Sequence, residues 1–193
     1  LTNYFMTDQY LEDKNQKKEA EVVNEYLRLL KGMYDNNCTI APVSFKNKLG
    51  DFVDRFIGYR QHDAQEFMTF LLDLLHDGLS QKVKITISGK CVNVIDKMAV
   101  QAARSWRLFF KDNYSIIVEL FYGQFLSKIT CKNCKKHSST YDPFCHIQLE
   151  IPKNKEKVDI YDCLNSYSDK EILDDDNTWK CDKCNTFSNA SKK

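Results

Sequence analysis

The sequence predicts an α+β protein, helical in its first part and β-structured from Gly123 onward, with paired cysteines stapling the second part. Three observations carry that expectation. Apolar residues recur at helical spacing in "KKEAEVVNEYLRLLKGMY" and again in "AQEFMTFLLDLLHDGL". After Gly123 the pattern changes to strand-like runs, "GQFLSKITC" and "CHIQLEIP". Cys-x-x-Cys occurs twice, at Cys131/Cys134 and Cys181/Cys184. A length of 193 residues suits one domain of ordinary size or two small ones.

In the first helical stretch Val23, Tyr26, Leu27, Leu30 and Met33 share a face. In "CTIAPVSFKNKLGDFVDRFIGY", Pro42 closes an extended piece and Ser44 is placed to cap a short helix. Ala64, Phe67, Met68, Leu71, Leu72 and Leu75 then form a wide apolar face, with Gly78 as the end of its helix. Residues 80–97 change character. Val83, Ile85 and Ile87 alternate with polar residues, Ser88-Gly89 offers a turn, and Val92 and Val94 follow, which predicts a surface hairpin or loop outside the core. Helix resumes through Ala99, Ala102, Ala103, Trp106, Phe109 and Phe110, and "SIIVELF" suits helix or strand. Cys145, Ile147, Leu149 and Ile151 alternate as a strand that Pro152 ends. "VDIYDCLNSY" reads as a short helix, "NTWKCDKC" leads into the second cysteine pair, and Asp174–Asp176 reads as a solvated turn.

The charges balance, 28 basic against 27 acidic residues, and no basic stripe stands out, which argues against a nucleic-acid partner. No apolar run is long enough to span a bilayer, so no membrane role is expected. The chain opens at Leu1 rather than at methionine, without a signal-like stretch, and is expected to be a piece of something longer. Four of the eight cysteines form the two pairs, and Cys38, Cys91, Cys145 and Cys163 are scattered singly. That distribution reads as a metal site in a reducing compartment, the cytoplasm or nucleus, and not as a disulfide framework.

Two tight knuckles, Cys131-Lys132-Asn133-Cys134 and Cys181-Asp182-Lys183-Cys184, supply the four soft ligands of a structural zinc. Lys132, Lys135, Lys136 and Lys183 would offset the charge of four thiolates. The knuckles are 46 residues apart, against roughly 15–20 in the common ribbon, so strands must be inserted between the halves. His137 and His146 lack knuckle spacing and are expected to be ordinary surface or strand histidines. A zinc held by four thiolates leaves no open position for a substrate, so it would rigidify the fold and not catalyse.

The stretch "GYRQHDAQEFMTFLLDLLHDGL" concentrates Gln61, His62, Asp63, Gln65 and Glu66 where an apolar helix begins. Asp63 and Glu66 have capping-box spacing, which accounts for two of these residues and not for Gln61, His62 or the Gly58-Tyr59 approach. This stretch resembles the glutamine-aspartate box of the ubiquitin-specific proteases, the papain-like deubiquitinases. "SWRLFFKDNYSIIVELFYGQFLSKITCKNC" resembles the segment leading into that family's fingers with the first zinc knuckle, "SSTYDPFCHIQLEIP" the strands beyond it, and "NTWKCDKCNTFSNASKK" the second knuckle. Leu1–Met6 resembles the stretch after the family's cysteine box, and residues 80–97 match least.

The resemblance implies a hand-shaped fold of thumb, palm and fingers. Residues 1–115 would be a helical thumb portion carrying a lineage-specific insertion at 80–97, and residues 116–193 a zinc-ribbon fingers portion. Both would belong to one catalytic domain that continues beyond both ends. It implies ubiquitin and ubiquitinated proteins as partners of a monomer, with Gln61, Asp63 and Glu66 facing the extended ubiquitin tail. The charged acceptors there would meet the tail's amides and arginines. His62 stands where the family often has a second glutamine, which would add pH dependence. Zn2+ would be held by Cys131, Cys134, Cys181 and Cys184.

Acyl transfer by a cysteine protease needs a thiolate, a histidine base and an orienting group. The family's Asn-x-Gly-Asn-Thr-Cys-like and Gly-His-Tyr-like boxes do not occur in this sequence. Cys38, in "DNNCTIAP", lacks the box, and His76 reads as a solvated histidine near a helix end. No catalytic residue is assigned, and the chain alone is expected to be inactive. The expected role is the middle of a catalytic domain whose parent hydrolyses isopeptide bonds after ubiquitin's C-terminal glycine. A catalytically inactive ubiquitin-binding module of the same fold is the alternative.

Overall fold

A computed structural model describes residues 1–34, 39–153 and 155–193, so Cys38 lies outside the described residues. The chain gathers into two compact units, Leu1–Thr86 with Arg107–Tyr122, and Ile87–Trp106 with Gly123–Lys193.

The first unit is helical. Its elements are α1 (Thr2–Met6), α2 (Tyr10–Asp13), α3 (Ala20–Tyr34), α4 (Val43–Gly50), a 3-10 turn (Asp54–Phe56), α5 (Ala64–Leu79), the last residues of α6 (Val94–Phe110), and α7 (Ile116–Phe121). The α3 and α5 faces meet over Phe5, Val23, Leu27, Leu30, Leu75, Leu79 and Ile117, all buried. Each large apolar side chain buried in this way contributes about 1.5–3 kcal/mol relative to exposure. The faces are rotated from those expected. Val22 is fully buried while Met33 is 64% exposed, and on α5 Leu74 is buried while Met68 is exposed. A second cluster explains the shift, because Val22 and Leu74 turn toward Phe45 and Leu49 of α4.

Gly78 does not end α5, which runs on to Leu79. It marks a close approach to the N-terminus of α3. A Cβ at this position would lie 2.7 Å from Val23 Cγ2 and 2.8 Å from the Glu19 carbonyl oxygen. The last carbonyls of α5 are satisfied by Asn15, whose Nδ2 donates to Asp77 O at 2.7 Å and whose backbone N–H donates to Gly78 O at 3.1 Å. Ser44 is not the cap of α4, which opens at Val43 after Pro42.

Of the hairpin or loop expected at residues 80–97, the loop forms, as far as Asn93. Gln81 bridges Tyr114, Val83 N donates to Lys111 O at 2.8 Å, and α6 begins at Val94. The helix start is fixed by a reciprocal pair. Asp96 Oδ2 accepts from Val92 N and Asn93 N, while Asn93 Oδ1 accepts from Asp96 N. That capping box in "NVID" outweighs the apolar alternation that suggested a second hairpin strand. "SIIVELF" resolves as helix α7.

The second unit carries the sheets. β1 (Gly123–Cys131) pairs antiparallel with β2 (His137–Phe144) along its length, from Gly123 opposite Phe144 to Thr130 opposite His137. The four-stranded order is β2-β1-β6-β3, with β3 at Glu171–Leu173 and β6 at Ala190–Lys192, and β4 (Trp179–Cys181) forms a separate ribbon with β5 (Thr186–Ser188). The first turns of α6 lie in this unit, where Ser105 Oγ donates to Tyr141 O at 2.6 Å. Helix α8 (Ile160–Tyr167) forms where a short helix was expected, and it opens on a capping box of Asp159 and Asp162. The run from Cys145 to Ile151, expected as a strand, joins no ladder among the described residues. Its alternation prescribes a face, but a strand also needs a neighbour for its backbone groups.

Candidate functional site

Each cysteine pair sits on the same local turn. Cys131 ends β1 and Cys181 ends β4. The residue after each second cysteine adopts a left-handed conformation, Lys135 at φ 59° and Asn185 at φ 54°. From there its N–H returns to the first cysteine's carbonyl, Lys135 N to Cys131 O at 3.1 Å and Asn185 N to Cys181 O at 2.7 Å. Both turns therefore tip two sulfurs to one side. The sheet register then brings the turns together, because β6 lies against β1 with Cys131 opposite Ala190, just downstream of the second knuckle.

The four sulfurs converge. Cys134 Sγ and Cys181 Sγ are 3.6 Å apart, Cys131 Sγ and Cys184 Sγ are 4.0 Å apart, and all four lie within 4.8 Å of one another. Four thiolates each about 2.3 Å from one ion at tetrahedral angles would be separated by about 3.8 Å, so the donor set fits a metal of zinc's size and softness. These distances are far beyond the roughly 2.05 Å of a disulfide. Cys131 and Cys181 are fully buried.

Without a cation the thiols are in conflict. Hydrogen bonding, first from the backbone N–H of Cys134, pulls Cys131 down to about 6, while hydrogen bonding to Cys134 and burial push Cys184 up to about 12. A divalent ion at the centre would let all four carry charge together. Of the neighbouring lysines, Lys136 pairs with Asp182 across the knuckles at 3.6 Å, and Lys135 Nζ donates to the Lys132 carbonyl. His137 bonds Thr130 at 2.9 Å and His146 is exposed; neither belongs to the cluster.

The polar box opens α5. Asp63 is the N-cap, and its Oδ1 accepts from Gln65 N at 2.7 Å and Glu66 N at 3.2 Å. Glu66 does not complete a capping box. Its carboxylate pairs instead with the Arg55 guanidinium, which also lies over the Phe70 ring. Gln61 is exposed, and His62 stands edge-on to Phe56 with ring centroids 5.3 Å apart. Of these residues His62 and Asp63 line an open apolar groove of about 410 Å³, floored by Phe45, Leu49, Phe56 and Phe67 and flanked by Tyr59. Lys46 Nζ lies 3.8 Å above the Tyr59 ring. Arg55 and the groove escaped sequence reasoning because they come from α4 and the 3-10 turn, and no periodic signal ties those segments to the box.

His76 is not solvated. It is 9% exposed, with Nδ1 2.8 Å from Ser115 Oγ. Burial, opposed by Asp77 and Asp73, holds its pKa below the ordinary histidine value. Cys163 is buried in α8 and Cys91 is exposed.

Helices joined to antiparallel sheets, with two knuckles focused on one point, define the class as an α+β domain with a zinc-ribbon-like cysteine cluster. A family model described as "Ubiquitin carboxyl-terminal hydrolase" matches residues 1–184, and the chain belongs to that family. It is 37% identical over 164 residues to ubiquitin carboxyl-terminal hydrolase 15 of Homo sapiens, a match covering 82% of this chain and 17% of the relative. Ubiquitin carboxyl-terminal hydrolase 4 of Rattus norvegicus matches at the same identity and coverage. The chain thus spans about a sixth of the length of the curated relatives it matches. A solved structure described as a SAGA DUB module bound to monoubiquitin superposes with a TM-score of 0.65 at 22% identity, over 99% of this chain and 38% of that one, a likeness of fold. No helix among the described residues is long and apolar enough to cross a membrane.

Proposed function

We propose that this chain is the middle portion of a deubiquitinase catalytic domain. Its parent is a thiol-dependent hydrolase that cleaves isopeptide bonds after ubiquitin's C-terminal glycine. The observation that carries this reading is the family match over residues 1–184, with the polar box at a groove rim and the four cysteines converged. Residues 1–115 serve as the helical thumb portion, with 80–97 as a variable insertion, and residues 116–193 as the zinc-ribbon fingers. Gln61, Asp63 and Glu66 receive the ubiquitin tail. Asp63 keeps its second carboxylate oxygen clear of the cap bonds made by Oδ1, and Glu66 offers a charge already shown to attract a guanidinium, that of Arg55. Cys131, Cys134, Cys181 and Cys184 hold one structural zinc, which when bound supplies a rigid cross-link between the sheets. The chain supplies grip and not the reacting thiolate, works as a monomer in the cytoplasm or nucleus, and recognises neither nucleic acid nor membrane.

The test is a titration of the zinc-loaded chain with ubiquitin, followed by NMR, together with a ubiquitin C-terminal amide reporter. Shifts centred on residues 61–66 without reporter turnover are expected. Shifts elsewhere, or turnover by this chain alone, would overturn the assignment.

A further inference from the structure

Ser115 precedes α7, and its Oγ accepts from the backbone N–H of Ile117 at 3.2 Å and of Val118 at 3.4 Å. Ser115 is 4% exposed. A hydroxyl has two acceptor lone pairs and one hydrogen. With both lone pairs directed at the cap, the hydrogen is what remains for His76, so Nδ1 of His76 accepts it and the ring is neutral with its proton on Nε2. One side chain of α5 thereby orients the hydroxyl that starts α7.

The surroundings of the ring set how readily it takes a second proton. Asp73 and Asp77, on α5 itself, favour the charged ring, and Lys17, from the segment before α3, opposes it. Lys17 also lies 4.0 Å from Asp77, which spends part of that carboxylate's influence. On the α7 side the ring faces Tyr122, with centroids 6.5 Å apart, and Tyr122 stands edge-on to Phe110 at the end of α6. The walls nearest the ring are therefore aromatic, and desolvation outweighs the carboxylates.

We propose that the His76–Ser115 pair is an acid-operated latch between α5 and α7. A proton taken from solvent onto Nδ1 turns the ring from acceptor to donor. The Ser115 oxygen must then accept from His76 and give up at least one of its bonds to Ile117 N and Val118 N. The cap of α7 is weakened by one bond, and with it the docking of Ile117, which is fully buried in one cluster with Leu75 and Leu79. The sign is fixed by the direction of the shift. Because the folded-state pKa lies below the unfolded value, the latch is closed at neutral pH and its stability is lost as pH falls below about 6.5.

Amide exchange of the zinc-loaded chain between pH 7.5 and 5.5, expressed as protection factors, reads the latch directly. Protection at Ile117 and Val118 is expected to fall by up to about tenfold per pH unit from about pH 6.5 down to the lower folded-state value of His76, and to level off below it, while Leu27 in α3 keeps its protection. His76→Gln, which keeps an acceptor and cannot gain charge, should leave the α7 amides independent of pH. Ser115→Ala should leave them weakly protected throughout. Flat protection in the native chain, or an equal fall in His76→Gln, would overturn the proposal. Should His76→Gln not fold, the ring's nitrogen shifts decide. A neutral ring carrying its proton on Nε2, and titrating together with the Ile117 and Val118 signals, supports the latch. A proton on Nδ1, or titration with no response in α7, refutes it.

Discussion

Arg55 is expected to compete with ubiquitin for Glu66. The two side chains are 50% and 37% exposed, so their pair is a surface salt bridge worth about 0.2–1 kcal/mol. If the tail brings a cation to Glu66, it must displace Arg55. Arg55→Gln should then tighten ubiquitin binding by that amount, roughly 1.4- to 5-fold. Glu66→Gln removes a charge-assisted bond of about 1.5–3 kcal/mol, less what Arg55 already drew from it. The net loss is about 0.5–2.8 kcal/mol, roughly 2- to 100-fold in affinity. Asp63→Asn should weaken binding while leaving the helix intact, since Asn caps about as well as Asp and the bonds to Gln65 N and Glu66 N survive. The assay is calorimetric titration of ubiquitin into the parent's catalytic domain, at low and high salt, beside the melting temperature of each variant. Unchanged affinity in both Glu66→Gln and Asp63→Asn would leave Asp63 as a helix cap and Glu66 as the partner of Arg55. Weaker binding by Arg55→Gln would make Arg55 a contact and not a competitor.

Three further outcomes are expected. Gly78→Ala should destabilise the helical unit, because overpacking of about 1–3 kcal/mol against Val23 and the Glu19 carbonyl exceeds the gain of about 1 kcal/mol in helix propensity; a melting temperature equal to or above the parent's would refute the close approach. Elemental analysis should find one zinc per folded, reduced chain and markedly less in Cys181→Ser, with a lower melting temperature; full zinc in that variant would remove Cys181 from the ligand set. The isolated chain should not turn over a ubiquitin amide reporter, and turnover abolished by Cys91→Ser or Cys145→Ser would show a nucleophile where no box exists.

The parts legible in the sequence were those whose cause is local. A Cys-x-x-Cys turn needs only its own residues, so both knuckles were readable, as were Asp63 as a cap and α8 as a short helix. What the sequence misassigned depends on neighbours. Val92 and Val94 look like a strand until Asp96 is seen reaching back to cap α6. Cys145–Ile151 has the alternation of a strand but joins no ladder among the described residues. Val22 rather than Met33 is buried because α4 packs beside α3, which no single helical wheel reveals. His76 sits near the helix end, as expected, yet is enclosed because α7 returns to cover it. Arg55 is 11 residues from Glu66 and belongs to a different turn, so only the fold could join them.

The two identical turns at Cys131–Lys135 and Cys181–Asn185 give this part of the chain an unequal tolerance to change in length. A bound ion would tie the turns into a ring, and the entropy of closing a flexible ring rises only with the logarithm of its size. Doubling the 46-residue span between the knuckles would cost about 0.6 kcal/mol. A single residue added or removed inside either turn would instead swing one sulfur out of the tetrahedron and leave a buried thiol facing three others. Length is thus nearly neutral along the span and forbidden at its two ends. Inserted segments, natural or engineered, belong between the knuckles, where they could change what the fingers touch without loosening what holds them.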